Sequence, residues 1–419
     1  MAVVSGEHSS GTAERATVYG WVVFALTFGL LISDYMARQV LNAVFPLLKQ
    51  EWSLSDGELG ALSGVVALMV GLLTIPLSLL ADRWGRIRSI TVMAVLWSMA
   101  TLLCGIARTY PEMFVGRILV GVGEAAYGSV GIAVVLSVFP ARMRATLSAA
   151  FIAGGLTGQV LGVAIGGWVA QVHGWRTAFT AIALAGLALA VAYPLLVKQR
   201  RMEAVGAMPG SPRAERPPFR SVFAKRSLVL VYVANGLQYY VAGALPAWLP
   251  TYFGRYYGLP VAKAASTAAL FLLLAGAGMV LCGIATDRIA RHNPGATPLL
   301  ALGFCLGCAA ALGLAFLLPP GPVQLALLAI GAFLCAASTG PSGAMVAGLT
   351  PLAIHGTAFA TVTLANNIFG LAPGPFLTGK IADSIGLLGA FQLLVIPALL
   401  AALTFAAMRR GYLMDRAAA

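Results

Sequence analysis

Long apolar stretches recur along the whole chain and constrain its fold more than any other feature. A helix that crosses the ~30 Å hydrocarbon core of a bilayer needs ~20 mostly apolar residues. The sequence offers twelve such stretches, near residues 18–47, 59–80, 89–107, 111–139, 146–170, 178–197, 227–252, 264–285, 296–318, 323–347, 357–382 and 387–408. Unbroken runs such as 183–197 favour helices over the alternating strands of a barrel. We therefore predict an all-α membrane protein with twelve transmembrane helices.

Positive charges are divided unequally between the two faces that these spans define. If the N-terminus is cytoplasmic, the tails and cytoplasmic loops hold 19 of the 27 Lys and Arg residues, whereas the opposite face holds six. Such a bias marks the cytoplasmic side. Both termini are therefore predicted to be cytoplasmic, and the net charge of +13 reflects topology, with no nucleic-acid partner. The first sixteen residues lack an apolar core, so no cleavable signal peptide is expected.

Metal, cofactor and enzyme chemistry find little support in the sequence. All five cysteines fall in apolar spans, and the pair Cys305 and Cys308 has no histidine nearby, so these residues are interpreted as small apolar side chains. His173, His292 and His355 fall in predicted loops. No nucleophile, base and orienting group converge in the spans. We expect neither a metal nor a cofactor, and no enzymatic activity.

The chain divides into two similar halves. A charged, proline-rich linker at 198–226 separates a six-helix bundle at 18–197 from a second at 227–408, with tails at 1–17 and 409–419. Asp82-Arg83 after span 2 corresponds to Asp287-Arg288 after span 8, at an offset of 205 residues. The loops that follow spans 4 and 10 correspond at an offset of 211. Such a parallel duplication predicts a substrate site at the midplane between the halves.

These features resemble the major facilitator superfamily. Residues 78–88 follow its signature after helix 2, G-x-x-x-D-R-x-G-R-[RK], with Ser78 where glycine is usual. The helix 4 signature is present as Arg117, Gly121 and Glu124, and the helix 5 glycines are present without the usual proline. The resemblance covers the chain and implies the two-bundle major facilitator fold and transport by alternating access.

Within that superfamily the chain looks most like the spinster-like branch, which is associated with lysolipids and sphingoid phosphates. The segments that carry this likeness are 121–128, 174–176 and 243–248. The anion:cation symporter branch has similar helices 1 and 4. Both branches usually read Asn-Tyr-x-Asp-Arg in helix 1, whereas this chain reads Asp34-Tyr35-Met36-Ala37-Arg38. Asp34 lies one turn before Ala37 on the same helix face, and we hypothesise that it replaces the missing carboxylate.

Two acidic residues, Asp34 and Glu124, fall well inside spans, where a charge costs at least ~2.5–3.5 kcal/mol. Arg38 shares a face with Asp34, and Arg117 shares a face with Glu124. We predict a pair between Arg38 and Glu124 across helices 1 and 4. Glu124 and Asp34 are predicted to couple protons to transport; the alternative is a static network that fixes helix packing. Arg117, nearest the outer end of its helix, is predicted to be structural.

Three further groups complete the predicted site. The residues predicted to bind substrate are Arg38, Tyr35, Tyr127, Asn235, Tyr239 and Asn366. The predicted gate consists of Asp82, Arg83, Gly85, Arg86, Asp287 and Arg288. The alternative is that these residues only determine the topology of the chain in the membrane. Gly158, Gly162 and Gly166 form a stripe predicted to pack helices closely. Lys380 and Asp383, at the outer end of span 11, are predicted to form a solvated pair.

The leading functional prediction is a secondary transporter in the cell membrane, such as a bacterial inner membrane. It is predicted to move an amphiphilic or lipid-like organic anion by proton-coupled alternating access, and to act as a monomer. The alternative within transport is a small organic anion or a drug. A non-transporting membrane sensor or structural partner is the alternative from a different class.

Overall fold

The computed structural model describes residues 17–198, 222–351 and 354–417, and their secondary structure is helical throughout. The first half comprises α1 (Val18–Trp52), α2 (Asp56–Trp84), α3 (Arg86–Ile106), α4 (Tyr110–Glu124), α5 (Tyr127–Ser137), α6 (Arg144–His173) and α7 (Trp175–Leu196). The second comprises α8 (Arg226–Tyr257), α9 (Val261–His292), α10 (Thr297–Ala315), α11 (Pro322–Cys335), α12 (Thr339–Leu349), α13 (His355–Ala365), α14 (Pro373–Gln392) and α15 (Val395–Ala417). Most of the predicted linker and N-terminal tail lie outside the described residues.

The described helices include ten to eleven candidate membrane spans, against the twelve that the sequence predicts. Ten stretches are long and apolar enough to cross a bilayer, with α4 and α5 forming one of them and α11 and α12 another. The pair His355–Gln392 and Val395–Arg416 passes the same criterion jointly, although it is bent by 51°. Gly386 lies between the predicted spans 11 and 12, and its φ of 78° breaks the helical path there. The all-α membrane fold is therefore confirmed.

Helix ends follow local sequence signals. Ser55 caps α2 with a reciprocal Glu58 capping box. Gly85, with φ 90°, and Gly174, with φ 85°, end α2 and α6 in the positive-φ region that glycine tolerates best. With the six spans that the sequence predicts in each half, the starts of α1 and α8 and the ends of α7 and α15 lie on one side. We call this side the terminal face and the other the opposite face.

Close backbone approach organises each half. Gly158, Gly162 and Gly166 on α6 lie against α1, where an added Cβ would come within 2.6–2.8 Å of α1 atoms. The predicted glycine stripe therefore faces α1, the helix that carries Asp34 and Arg38. Between the halves, α2 packs on α14 and α6 packs on α9. These two contacts frame the space that holds the candidate site.

Candidate functional site

A cavity of about 1140 Å³ lies between the two halves and is lined by both. It reaches Ser78 and Leu79 near the end of α2 and Gly356 and Thr357 near the start of α13, so it extends towards the terminal face. The first-half wall mixes apolar residues with the charged and polar side chains of the cavity, which include Asp34, Tyr35, Arg38, Gln39, Asn42, Thr74 and Glu124. The second-half wall is mostly apolar, with Ala242, Pro246, Leu272 and Met279 beside a few polar groups. The cavity thus offers a charged side to one end of a ligand and an apolar side to the other.

A cluster of charged side chains forms the centre of the polar wall. Arg38 Nε lies 2.6 Å from Glu124 Oε2 and 3.6 Å from Asp34 Oδ1. Both carboxylates are almost fully buried, whereas the Arg38 side chain is 20% exposed. The pair between Arg38 and Glu124 that the sequence predicts is therefore present, and Asp34 reaches the same guanidinium from one turn earlier on α1. One guanidinium serves two carboxylates.

The broken fourth span positions Glu124. Glu124 is the last residue of α4, and α5 begins at Tyr127 after a two-residue interruption. The tenth span is interrupted at the corresponding place, between Cys335 and Thr339. Near this interruption the Ala125 carbonyl accepts a bond of 2.8 Å from Thr74 Oγ1 on α2. The break places a carboxylate at the cavity in a region where helix would otherwise continue.

Arg117 is buried beside the cluster and bonds to the backbone. Its guanidinium donates to the carbonyls of Leu62 at 3.1 Å, Ala37 at 2.9 Å and Arg38 at 3.2 Å. These carbonyls belong to α1 and α2, so one side chain on α4 joins three helices. Because its nitrogens are occupied by carbonyls, Arg117 is poorly placed to hold a ligand.

Polar groups of the second half divide between the cavity wall and the interior. Tyr239 lines the cavity and its hydroxyl lies 3.0 Å from Thr339 Oγ1. Asn366 also lines it, on the π-helical turn Asn366–Leu371, and accepts a bond of 2.8 Å from Asn235 Nδ2. Such π-helical turns are frequent at functional sites.

Two of the predicted substrate contacts do not reach the cavity. Asn235 is fully buried, and its Oδ1 accepts bonds from Ser338 and Ser342. Tyr127 is also fully buried; its hydroxyl donates to the Thr27 carbonyl at 2.6 Å and its ring packs edge-on against Trp97. Both residues lie on helices that contribute to the site, but their side chains point into the bundles.

The structure describes the side chains of four charged residues of the predicted gate on the terminal face. Arg83, Arg86, Asp287 and Arg288 are exposed, and none of these four takes part in an ion pair within the described ranges. Gly85 forms the sharp connection between α2 and α3. The side chain of Asp82 lies outside the described part of the structure.

The opposite face carries a network that the sequence did not reveal. Asp56 binds Lys49 at 2.6 Å and both terminal nitrogens of Arg255 at 2.6 and 2.7 Å. Asp383 accepts bonds from the backbone N–H groups of Asp56 and Gly57. Lys380 and Asp383 are both exposed, as the predicted solvated pair requires, but the Asp383 carboxylate accepts its hydrogen bonds from a helix of the other half. Asp56 is an acid in the first turn of α2, and no local sequence pattern identifies its distant partners.

Comparison with known proteins agrees with the fold and the motifs. The Major Facilitator Superfamily family model matches residues 26–334. The probable L-galactonate transporter of Escherichia coli K12 is 27% identical, over 86% of this chain and 82% of its own length. The gallate transporter of Pseudomonas putida is also 27% identical, over 93% of this chain and 92% of its own length. The probable sphingolipid transporter spinster homolog 2 of Arabidopsis thaliana is 28% identical, over 81% of this chain and 72% of its own length.

One solved structure with a similar fold is that of a bacterial homolog of the human lysosomal transporter Spinster. It was determined in an inward-facing, unoccupied conformation. It aligns with a TM-score of 0.84 at 20% identity, covering 96% of this chain and 99% of that one. At this identity the likeness concerns the fold.

Proposed function

Because the chain belongs to the major facilitator superfamily and is a multi-pass membrane transporter, we propose that it carries an organic anion by proton-coupled alternating access. The observation that carries this proposal is the sharing of one cavity-lining guanidinium, Arg38, by two buried carboxylates. Arg38 and Arg117 are the cavity-lining cations among the described residues, and Arg117 is occupied by three carbonyls. Arg38 is therefore the group proposed to bind the anion.

Charge balance supports the coupling of an anion to a proton. With both carboxylates ionised, Asp34 and Glu124 balance Arg38 and Arg117. If Glu124 takes up a proton, Arg38 loses its nearest partner and the cluster gains one positive charge. An anionic substrate restores the balance, which matters because a net charge inside the membrane is costly. Proton and anion would thus enter and leave the site together, in a ratio of one to one.

Two classes of anion fit the proposal. A small organic acid is supported by similarity to transporters named for galactonate and gallate. An amphiphilic anion is supported by the apolar wall of the second half, which would accept a hydrocarbon chain while Arg38 holds the head group. The small organic acid is the first candidate, because two of the three reported relatives are named for such acids.

Transport in proteoliposomes tests both parts of the proposal. The panel contains galactonate, glucuronate, gallate and a lysophospholipid, each with and without a pH gradient. Glu124→Gln should abolish gradient-driven accumulation, and Arg38→Gln should abolish anion transport. The matched control is Glu112→Gln, which changes an exposed glutamate on the same helix α4.

The outcomes separate the alternatives. Accumulation that Glu124→Gln removes and Glu112→Gln retains supports proton coupling. Equal movement of the anion in all variants, with and without the gradient, would refute coupling and leave a facilitator. Movement of the lysophospholipid without any small acid would replace the first candidate with the amphiphile.

A further inference from the structure

The first turn of α2 receives its hydrogen-bond acceptors from both halves. The Glu58 N–H donates to Ser55 Oγ, which belongs to the same half. The N–H groups of Asp56 and Gly57 instead donate to Asp383 Oδ1 and Oδ2, at 2.7 and 2.9 Å. The first N–H groups of a helix have no partner within the helix and attract negative charge. Asp383 of α14 therefore caps a helix that belongs to the other half.

The first turn of α9 is capped in the reverse direction. Its N-terminal flanking residue is Pro260, and no side chain of that residue caps the helix. The Ala262 N–H donates to Gln171 Oε1 on α6, at 2.7 Å. Here the first half supplies the acceptor and the second half supplies the helix. Each half thus gives one cap and receives one.

The two exchanged caps occupy equivalent places in the duplicated sequence. Ala262 follows Gly57 by 205 residues, which is the offset between Asp82-Arg83 and Asp287-Arg288. Asp383 follows Gln171 by 212 residues, against 211 for the loops after spans 4 and 10. The caps therefore lie on corresponding helices of the two repeats, and duplication accounts for their pairing.

A buried ion pair accompanies one of the caps. The Asp56 side chain is 3% exposed, and its carboxylate is held by two nitrogens of Arg255 from the second half. Small residues allow the helices to meet at this point. A Cβ at Gly60 would overlap the Pro375 carbonyl, and a Cβ at Gly379 would overlap the Asp56 carbonyl. All of these contacts join the halves on the opposite face, away from the direction in which the cavity extends.

We infer that the two exchanged helix caps, with the pair of Asp56 and Arg255, form the gate that closes the opposite face and sets the balance between the two access states. Each cap exists only while the halves meet on that face. When they separate, the freed N–H groups and the Asp383 carboxylate lie at the rim and are hydrated. Water replaces most of the lost bonding there, so the gate holds the closed state by a modest, reversible margin.

Distance measurements between spin labels test this gate without requiring a substrate. Labels on cysteines introduced at Thr109 and Pro320, exposed loop residues of different halves, report the opposite face. Labels at Arg88 and Arg291, also exposed, report the terminal face. The five native cysteines are buried, so brief labelling favours the introduced sites. Double electron–electron resonance then gives the population of each state in the purified protein.

Asp383→Ala should increase the ratio of opposite-face-open to closed molecules by about tenfold, which corresponds to about 1.4 kcal/mol. For the label pair on the terminal face, the ratio of short-distance to long-distance molecules should rise by the same factor. Ser384→Ala, which changes the neighbouring exposed residue, should leave both distributions unchanged. Gln171→Ala should shift them in the same direction as Asp383→Ala, through the independent cap on α9.

Unchanged distributions in both Asp383→Ala and Gln171→Ala would overturn the inference. A shift of equal size in Ser384→Ala would also overturn it, because the effect would then be a general one of the loop. If Asp383→Ala does not fold, Asp383→Asn and Gln171→Ala decide the question. Since no substrate or proton gradient is used, the result is independent of whether the proposed anion transport is correct.

Discussion

The sharing of Arg38 by Asp34 and Glu124 predicts a specific departure from additivity. Glu124→Gln removes the partner at 2.6 Å, but Asp34 at 3.6 Å still balances the guanidinium. Asp34→Asn likewise leaves Glu124 in place. Each single variant should therefore lower the free energy of unfolding by only about 1 kcal/mol. The double variant leaves the largely buried Arg38 beside Arg117 without any carboxylate, and should lose about 3–5 kcal/mol.

The loss of unfolding free energy in the double variant, minus the summed losses of the two single variants, measures how far the two carboxylates share Arg38. We expect an excess loss of about 1–3 kcal/mol, the range for residues in one network. Unfolding in mixed micelles with increasing SDS, followed by far-ultraviolet circular dichroism, gives the three values. Glu112→Gln on the same helix serves as the control and should cost little. Additivity within about 0.5 kcal/mol would show that the two carboxylates do not depend on one guanidinium.

Three further predictions concern packing and topology. Arg117→Lys should lower the free energy of unfolding by about 2–3 kcal/mol, because one ammonium cannot reach three carbonyls on two helices. Arg108→Lys, at an exposed position, is the control in the same SDS unfolding assay. Gly60→Ala should push α2 away from α14 and open the opposite face, whereas Gly303→Ala, which meets no atom within 4 Å, should not; the spin-label pairs on the two faces measure this. A cysteine at Arg416 in intact cells should resist an impermeant thiol reagent that labels one at Lys263; the reverse pattern would contradict cytoplasmic termini.

The architecture was predictable because it depends on properties that each segment carries by itself. A run of ~20 apolar residues must form a helix in a bilayer, and the loop motifs recur at the similar offsets of 205 and 211 residues, whatever the helices contact. The pair of Arg38 and Glu124 was also predictable, since two buried charges on neighbouring spans need each other. Asp34 was expected to replace the acid absent at Ala37, and it does reach the Arg38 guanidinium.

The orientation of uncharged polar residues was less predictable. Asn235 and Tyr127 were expected at the cavity, yet both are buried among side chains of their own half. An amide or hydroxyl at membrane depth needs a hydrogen-bond partner, but a neighbouring helix satisfies that need as well as a ligand does. Sequence spacing identifies the face of a helix on which a residue lies, whereas the rotation of that helix in the bundle decides what the face meets.

The sequence by itself determined the helices, the two halves, the unequal charge of the two faces and the ionisable pair, because each follows from local composition or from spacing along one helix. The tertiary structure alone decided which face of the protein is closed. Asp383 and Asp56 are 327 residues apart, and their contact depends on the angle between two six-helix units. That angle changes during transport in an alternating-access protein, so one sequence must permit both arrangements and its local pattern identifies neither.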